Sequence, residues 1–260
     1  MAQLADIRRQ ELKEYLRERG HGTIAELCAR FGVSVATVHR DLNALLADGM
    51  VRKVHGGVEY TAPQVGGEES WNSGFTTRLQ RNCEAKVAIA EKALALLEED
   101  DVAFLDSSTT CLHLARAIRA SSLHRLTLVT NSNAIANEFP SFPSSFTLIS
   151  LGGSYNPQLN SFLGGMTRDA AQHLRLRKVF LSAVGVSVDG AFTFHENHAA
   201  FLRELVEQGG EGVLLADASK FGREALFRIC GLERLHVVVS DPLLQAAPRA
   251  WLAAAGCAVH

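Results

Sequence analysis

The stretch Val102-Ala103-Phe104-Leu105-Asp106-Ser107-Ser108-Thr109-Thr110 precedes a helical pattern over 111–120. Its four apolar residues predict a buried strand, and the polar run predicts a loop that leads into a helix. The unbonded amides and the dipole of a helix start favour an anion, and neighbouring hydroxyls can add donors. The same hydroxyls are equally consistent with a helix that caps its own amides. The stretch predicts an α/β unit and leaves both roles of the loop open.

Small and polar residues recur where later strands are predicted to end. Strands are predicted over 126–129, 146–151, 179–184, 213–216, 237–239 and 257–259, and helices over 83–98, 199–208 and 243–254. Thr130-Asn131-Ser132 follow the first of these strands, Gly152-Gly153 the second, Gly185 the third, and the fourth leads to Lys220. In an open α/β sheet, ligands bind beyond the carboxyl ends of the strands. The pattern therefore favours a ligand site, although glycines there are also typical of tight turns.

The first sixty residues differ from the rest of the chain in that helical patterns dominate, and three helices are predicted. Residues 7–19 place apolar side chains on one side of a helix. Thr23-Ile24-Ala25-Glu26 is a capping box that begins a helix over 23–30. Gly32 supplies a tight turn with positive φ, and Ser34 caps a third helix that runs to Gly49. This spacing predicts a helix-turn-helix.

The third helix is predicted to present a polar face to DNA. Its outward residues are Val35, Ala36, Thr37, His39, Arg40 and Asn43. Such side chains can contact base edges, thymine methyls and phosphates in the major groove. Residues 50–60 predict a two-stranded ribbon that turns at Gly56-Gly57, with Arg52 and Lys53 on a basic wing. The alternative is a protein-interaction module with a solvated basic surface.

Composition limits the classes of function. The chain has 260 residues, 47% hydrophobic content and a net charge of −2, which predict one or two globular domains with no bulk attraction to nucleic acid or membrane. No spanning segment or signal peptide is apparent, so a cytoplasmic protein is expected. The five scattered cysteines are predicted to be reduced core residues. Residues 61–75 are rich in Gly, Ser and Pro and predict a linker between domains over 1–60 and 76–260.

The run from Ser34 to Leu42, followed by Leu45, Gly49, Arg52 and His55-Gly56-Gly57, closely resembles the DNA-binding motif of the DeoR family of bacterial transcription regulators. The rest of the chain is similar to the sensor domain of that family in order and spacing. The resemblance implies a winged helix-turn-helix followed by an open α/β domain similar to sugar-phosphate isomerases. The residues expected to bind DNA are Thr23, Ser34, Val35, Ala36, Thr37, His39, Arg40, Asn43, Arg52, Lys53, His55 and Gly56.

The resemblance also implies an effector pocket for a phosphorylated sugar or related metabolite. Its expected residues are Asp106, Ser107, Ser108, Thr109, Thr110, Thr130, Asn131, Ser132, Gly152, Gly153, Gly185, Asp189, Glu196, His198 and Lys220. Three positions depart from the family pattern: His39 replaces a common arginine, Ser108 replaces a common glycine, and His198 stands where a carboxylate is common. Either Glu196 serves instead of that carboxylate, or the pocket chemistry differs.

The leading hypothesis is a repressor of carbohydrate metabolism or transport genes that acts as a homodimer or homotetramer on operator DNA, because two recognition helices must meet two half-sites. No cofactor is expected. A metal is not expected either, since His195 and His198 lack an identifiable third ligand. The alternative hypothesis is a sugar-phosphate isomerase-like enzyme with an appended helical domain, in which Asp106, Asp189, Glu196 and Lys220 would supply acid–base groups.

Overall fold

The computed structural model describes residues 2–47, 51–54, 57–60 and 74–260. The chain divides into two compact units, residues 1–80 and 81–260. Most of the predicted linker, residues 61–73, lies outside the described residues. The limits 1–60 and 76–260 stay a prediction.

The first unit combines four described helices with a small sheet. Its elements are α1 (Ala2–Arg19), β1 (His21–Thr23), α2 (Ile24–Phe31), α3 (Val35–Ala47), β2 (Val51–Val54), β3 (Gly57–Tyr60) and α4 (Phe75–Gln80). The strands pair antiparallel in the order β1-β3-β2. The predicted ribbon therefore has a third strand, which the short segment before the capping box contributes.

Local sequence rules explain the helix-turn-helix. The Thr23 side chain accepts from the Glu26 amide, and the Glu26 carboxylate accepts from the Thr23 amide at 2.8 Å, which confirms the capping box. Gly32 ends α2 with φ 61°, as predicted. Leu16, Leu27 and Leu42 are fully buried between the helices. Apolar periodicity and two caps thus account for this unit.

The second unit has twelve described strands, seven of them in one main sheet. Its helices are α5 (Cys83–Leu94), α6 (Thr109–Ala120), α7 (Asn133–Glu138), α8 (Gly165–Gln172), α9 (Glu196–Glu207) and α10 (Ala246–Ala254). Its strands are β4 (Val102–Leu105), β5 (Thr127–Thr130), β6 (Thr147–Ser150), β7 (Ser154–Asn156), β8 (Ser161–Leu163), β9 (Lys178–Leu181), β10 (Gly185–Ser187), β11 (Gly190–Thr193), β12 (Glu211–Leu215), β13 (Phe227–Cys230), β14 (Val237–Val239) and β15 (Ala258–Val259).

Seven strands form one parallel sheet in the order β15-β14-β12-β9-β4-β5-β6. The central strands are mostly apolar and buried, as expected for a sheet that is covered on both faces, and only Lys178 and Glu211 at the starts of β9 and β12 are charged. Phe104 of β4 packs edge-to-face on Phe201 of α9 at 5.7 Å between ring centroids. The open α/β class predicted from the sequence is confirmed.

Several predicted boundaries and two substructures differ. The helix predicted over 83–98 ends at Leu94, and the strand predicted over 179–184 ends at Leu181. The hairpin β7–β8 and the antiparallel sheet β10-β11-β13 were not predicted. Their strands have only three or four residues, too few for a periodic pattern to be recognised.

Cysteine placement corrects one expectation. Cys111, Cys230 and Cys257 are buried and Cys28 is half-buried, but Cys83 is exposed. The prediction that all five are core residues is wrong for Cys83. In the described part of the chain, no helix is long and apolar enough to cross a membrane.

Candidate DNA-binding surface and effector site

Helix α3 has one exposed and one buried face. Val38, Leu42 and Leu45 are buried in the core of the first unit. On the other side, Thr37 is half-buried, and the exposed residues are Ser34, Val35, Ala36, His39, Arg40 and Asn43. The structure thus brings together on one helix these predicted DNA-binding residues. Val35 is notable because 54% of it is exposed at the first position of the helix, where an apolar side chain can meet a thymine methyl.

Two hydroxyl residues predicted to bind DNA have capping roles. Ser34 Oγ accepts from the Thr37 amide at 3.3 Å and hydrogen-bonds the Thr37 hydroxyl at 3.0 Å. Thr23 accepts from the Glu26 amide at 3.3 Å. These bonds fix where α2 and α3 begin, and so they fix the position of the exposed face.

A partly buried ion pair holds α3 against α1. Arg8 donates from Nε to Asp41 Oδ2 at 2.6 Å and from Nη2 to Oδ1 at 3.2 Å. Asp41 is 4% exposed, and its hydrogen bond raises the pKa of Arg8. This forked contact orients α3 on the helix behind it. Sequence reasoning missed it because the partners are 33 residues apart and no short-range spacing links them.

The wing is only partly described. Arg52 and Lys53 lie on β2, opposite Glu59 and Val58 of β3. Their side chains, and all of His55 and Gly56, lie outside what the structure describes. Gly57 is the first residue of β3 and pairs with Val54. The predicted turn at Gly56-Gly57 is therefore wrong for Gly57.

In the second unit, Asp106 joins the ends of two neighbouring strands. This fully buried carboxylate follows β4 and accepts from the Ser108 amide through Oδ1 and from the Ser182 amide through Oδ2, both at 2.8 Å. Ser182 follows β9 directly. Asp106 thus acts as a bridge between strand-end loops. The role of Ser182 was not predicted, because the sequence placed this residue inside a longer strand over 179–184.

The amino end of α6 lies beside this bridge. Ser108 is its N-cap, with φ −75°, and its Oγ accepts from the Cys111 amide at 3.0 Å. No hydrogen bond within the described residues uses the backbone N–H groups of Thr109 or Thr110. Both residues are buried, as is Ser107. A twelve-residue helix therefore begins with two unbonded amides at the carboxyl edge of the sheet.

The loop after β5 is bonded to the β7–β8 hairpin. Thr130 donates to the Leu105 carbonyl at 2.7 Å, and Ser132 caps α7. The fully buried Asn131 donates through Nδ2 to Ser161 Oγ at 2.8 Å and to the Phe162 carbonyl at 3.2 Å. Asn131 Oδ1 accepts no hydrogen bond from the described residues. A buried acceptor is left available at this strand end.

The glycines after β6 also have packing roles. Thr167 donates to the Gly152 carbonyl at 2.7 Å. Gly153 has φ 140°, and a Cβ there would lie 2.8 Å from the Leu163 carbonyl oxygen and would clash with the Thr167 hydroxyl. Only glycine fits this position, so the close turn is enough to explain why a glycine occurs there.

The loop after β12 is joined to the start of the unit. Asp217 accepts from Asn82 Nδ2 at 3.1 Å and from the Ser219 amide and hydroxyl. Asp241, after β14, accepts from the Ala218 amide at 2.6 Å. Lys220 is half-buried at the end of the resulting 3₁₀ turn. Asn82 and Asp241 were not predicted, since neither stands in a recognisable motif.

Four other predicted pocket residues lie on β10, in the turn that follows it, and on α9. Gly185 begins β10, and Asp189 is exposed in the β10–β11 turn. Glu196 is the exposed first residue of α9, and His198 is buried on the same helix. Within the described chain, no hydrogen bond or ion pair joins Asp189 or Glu196 to the loops after β4 and β5. No group of three potential metal ligands occurs among the described residues.

Comparisons with known proteins cover both units. Residues 8–64 match the DeoR-like helix-turn-helix domain, and residues 81–242 match the DeoR C-terminal sensor domain. The HTH-type transcriptional regulator IolR of Bacillus subtilis is 31% identical over 91% of this chain and 92% of its own length. The chain belongs to the DeoR family. It is thus a DNA-binding transcriptional regulator with a C-terminal sensor domain.

Other DeoR relatives show the range of the family. The L-fucose operon activator of Haemophilus influenzae is 31% identical over 88% of both chains. The lactose phosphotransferase system repressor of Lactococcus lactis subsp. lactis is 27% identical over 83% of both. Among solved structures, ribose 5-phosphate isomerase A from Neisseria gonorrhoeae overlaps 52% of each chain with a TM-score of 0.39 and 15% identity. A likeness of that size supports no conclusion about activity.

The structure explains one departure from the DeoR pattern. Ser108 stands at a common glycine position, but its backbone is not left-handed and its hydroxyl caps α6. Serine is therefore accommodated without strain. At another departure, His39 is exposed on α3, so a histidine replaces the common arginine on the exposed face of that helix.

Proposed function

We propose that this DeoR protein represses carbohydrate metabolism or transport genes by placing α3 in the major groove of operator DNA. Support comes from the exposed face of α3, which carries Arg40 and Asn43 next to the apolar Val35. These types suit guanine or phosphate, adenine, and the thymine methyl. The relatives include repressors of the aga operon and of the lactose phosphotransferase system, which supports the same assignment.

The second unit binds a phosphorylated sugar or related metabolite, and this changes operator affinity. The observation that carries this half of the proposal is the amino end of α6, where two backbone N–H groups are unbonded beside the Asp106 bridge. A helix start of this kind stabilises a phosphate through its amides and dipole. Asn131 Oδ1, on the next strand, offers an acceptor for a sugar hydroxyl.

The pocket binds without catalysing a reaction in this proposal. In an isomerase, Asp106 would be a candidate base, but each of its oxygens accepts a backbone N–H bond. These bonds hold the carboxylate in place, as suits a bridge between loops. The relatives named above are regulators, which agrees with a binding role.

The regulator acts in the cytoplasm as a homodimer or homotetramer, since two copies of α3 must reach half-sites about one helical turn, or a multiple of it, apart. The effector shifts the balance between arrangements with different operator affinity. The domain limits 1–60 and 76–260 belong to the same proposal. Gly185, Asp189, Glu196, His198 and Lys220 remain proposed members of the pocket.

Fluorescence anisotropy on labelled DNA from upstream of the gene and its neighbours tests both halves at one fixed salt concentration. Glucose 6-phosphate, fructose 1-phosphate, fructose 6-phosphate and ribose 5-phosphate are titrated, with the free sugars and inorganic phosphate as controls. We expect specific binding that one sugar phosphate changes and its free sugar does not. Turnover of a sugar phosphate without specific DNA binding would overturn the proposal.

A further inference from the structure

An exposed thiol and a buried imidazole meet at the start of α5. Cys83 is the first residue of that helix and is exposed. His113, on the neighbouring helix α6, is only 8% exposed, and its Nε2 lies 3.9 Å from Cys83 Sγ. The separation is within the range of a hydrogen bond to sulfur. A buried base is thus directed at an accessible nucleophile, and neither is part of the proposed effector site.

Two cations and two carboxylates lie near this pair. Lys86, one turn along α5, is buried, and Arg116, one turn along α6, pairs with Glu138 of α7 at 2.5 Å. Burial lowers the pKa of His113 most, and the charges of Arg116 and Lys86 lower it further, against an opposite effect of Glu138. The imidazole is therefore neutral at pH 7 and can accept a proton. Glu84 is exposed on the same turn of α5 as Cys83.

We propose that Cys83 is a modification site that undergoes thiol–disulfide exchange with low-molecular-weight disulfides that carry carboxylates. With its proton on Nδ1, His113 takes the thiol proton at Nε2 as Cys83 Sγ attacks one sulfur of the disulfide. A new S–S bond forms and the old one breaks. The departing sulfur leaves with the electron pair and takes a proton from the imidazolium or from water. Cys83 is oxidised, and the released half of the disulfide is reduced to a thiol.

The exposed part of Arg116 favours an anionic partner. Arg116 is 38% exposed in its side chain, and its pKa is raised mainly by its hydrogen bond to Glu138, with the smallest contribution from Cys83. Glu138 binds Nε and Nη2 of this guanidinium, so a carboxylate on the incoming disulfide would meet its Nη1. The class of partner therefore follows from the residues that surround the thiol.

The other cysteines provide contrast within the same chain. Burial raises the pKa of Cys230 to about 12 and that of Cys111 far above its usual value. Burial also raises the pKa of Cys257. These three thiols are inert while the chain is folded. Cys28 is half-buried, and its reactivity is removed with Cys28→Ser.

The experiment uses the reduced full-length protein and two disulfides of opposite charge, dithiobis(nitrobenzoate) and cystamine. A peptide of residues 80–90 is the matched control, since it has the same local sequence without His113 or Arg116. We expect the protein at pH 7 to react with the anionic disulfide about tenfold faster than the peptide, or more. Mass spectrometry should place the adduct on Cys83, and Cys83→Ser should remove it.

Two measurements separate activation from simple exposure. His113→Gln should lower the rate to that of the peptide while circular dichroism remains unchanged. In the unmodified protein, the ratio of the anionic to the cationic rate should exceed the ratio for the peptide, and this needs no variant. A Cys83 rate equal to that of the peptide, with an equal charge ratio, overturns the proposal. So does an unchanged rate in a folded His113→Gln protein.

Discussion

At the scale of single residues, neighbouring side chains of α3 are either exposed or buried in contact with α1. Arg40 and Asn43 are exposed, whereas Asp41 between them is buried and paired with Arg8. Neighbouring positions of α3 are thus assigned either to DNA recognition or to holding the helix in place. Substitutions on the two faces should therefore affect different measurements.

Arg40→Ala should weaken operator binding by about 1–3 kcal/mol, because a base or phosphate contact is lost. Anisotropy at fixed salt measures the change. The matched control is Arg125→Ala, which removes the same charge from an exposed pair with Asp100 in the other unit. Equal weakening by both variants would mean that net charge, and not the α3 face, governs affinity.

Arg8→Met should lower the free energy of unfolding by about 1–3 kcal/mol, because it leaves the buried Asp41 carboxylate without its forked partner. Urea unfolding of the full chain, monitored by circular dichroism, measures the loss. Adding Asp41→Asn to Arg8→Met should cost less than the sum of the two single changes, since they share one interaction. Strict additivity would contradict the assigned pairing.

His113 should make the protein less stable in acid. Its pKa is lowered in the folded state, so below about 6.5 the unfolded chain binds a proton that the folded chain does not. Stability is then lost as the pH falls from 6.5 towards the folded pKa. His113→Gln should show a smaller decrease in melting temperature between pH 7 and pH 5. The exposed His173→Gln is the control, and the same reduction there would remove His113 as the cause.

At the scale of elements, the amino end of α6 shows what sequence reasoning can establish. The strand, loop and helix at 102–120 were predicted, and the structure confirms the strand bounds and extends the helix to Thr109. The sequence left open whether the hydroxyls cap the helix or bind a ligand. In the structure Ser108 caps, whereas the amides of Thr109 and Thr110 stay unbonded among the described residues. Local patterns specify elements, but only the fold assigns a hydroxyl to its partner.

Long-range contacts explain what the sequence did not predict. The Asp106 bridge depends on an amide 76 residues away, and Asn82 bonds a carboxylate 135 residues away. Periodicity and capping rules act over one or two helical turns. The strand-end positions of the candidate pocket were therefore predictable, whereas the groups that join those loops were not.

Asn82 gives an element-scale prediction about coupling. Its side chain bonds Asp217 and, at 3.4 Å, Ser219 in the loop that leads to Lys220. Asn82→Gly keeps the left-handed backbone at φ 50° and removes both bonds. We expect the effect of a sugar phosphate on operator affinity to fall about fivefold or more, with effector-free DNA binding retained.

Asp100→Gly is the matched control for Asn82→Gly. Asp100 is also left-handed, with φ 66°, but it precedes β4 at the opposite edge of the sheet. It should leave the response to the effector intact. A full response in Asn82→Gly would show that the contact with the 217–220 loop is structural only. The lack of any response in the unaltered protein would instead count against the proposed effector.

At the scale of the whole molecule, the proposed oligomer must match the geometry of DNA. Two α3 helices require half-sites on the same side of the duplex. Inserting about five base pairs between the half-sites should abolish tight binding, and inserting about ten should restore much of it. Anisotropy on the three DNA spacings measures this. Binding that is indifferent to spacing would indicate one α3 per site.

The anchoring of Asn82 also limits how regulators of this kind can be recombined. Arg81 and Asn82 begin the second unit, and Lys86 binds the Arg81 carbonyl at 2.5 Å while Asn82 binds the 217–220 loop. A hybrid that joins a foreign DNA-binding domain after Asn82 would lose these hydrogen bonds. A hybrid joined before Arg81 would inherit them. Artificial gene switches built from this chain should therefore be spliced on the amino side of Arg81.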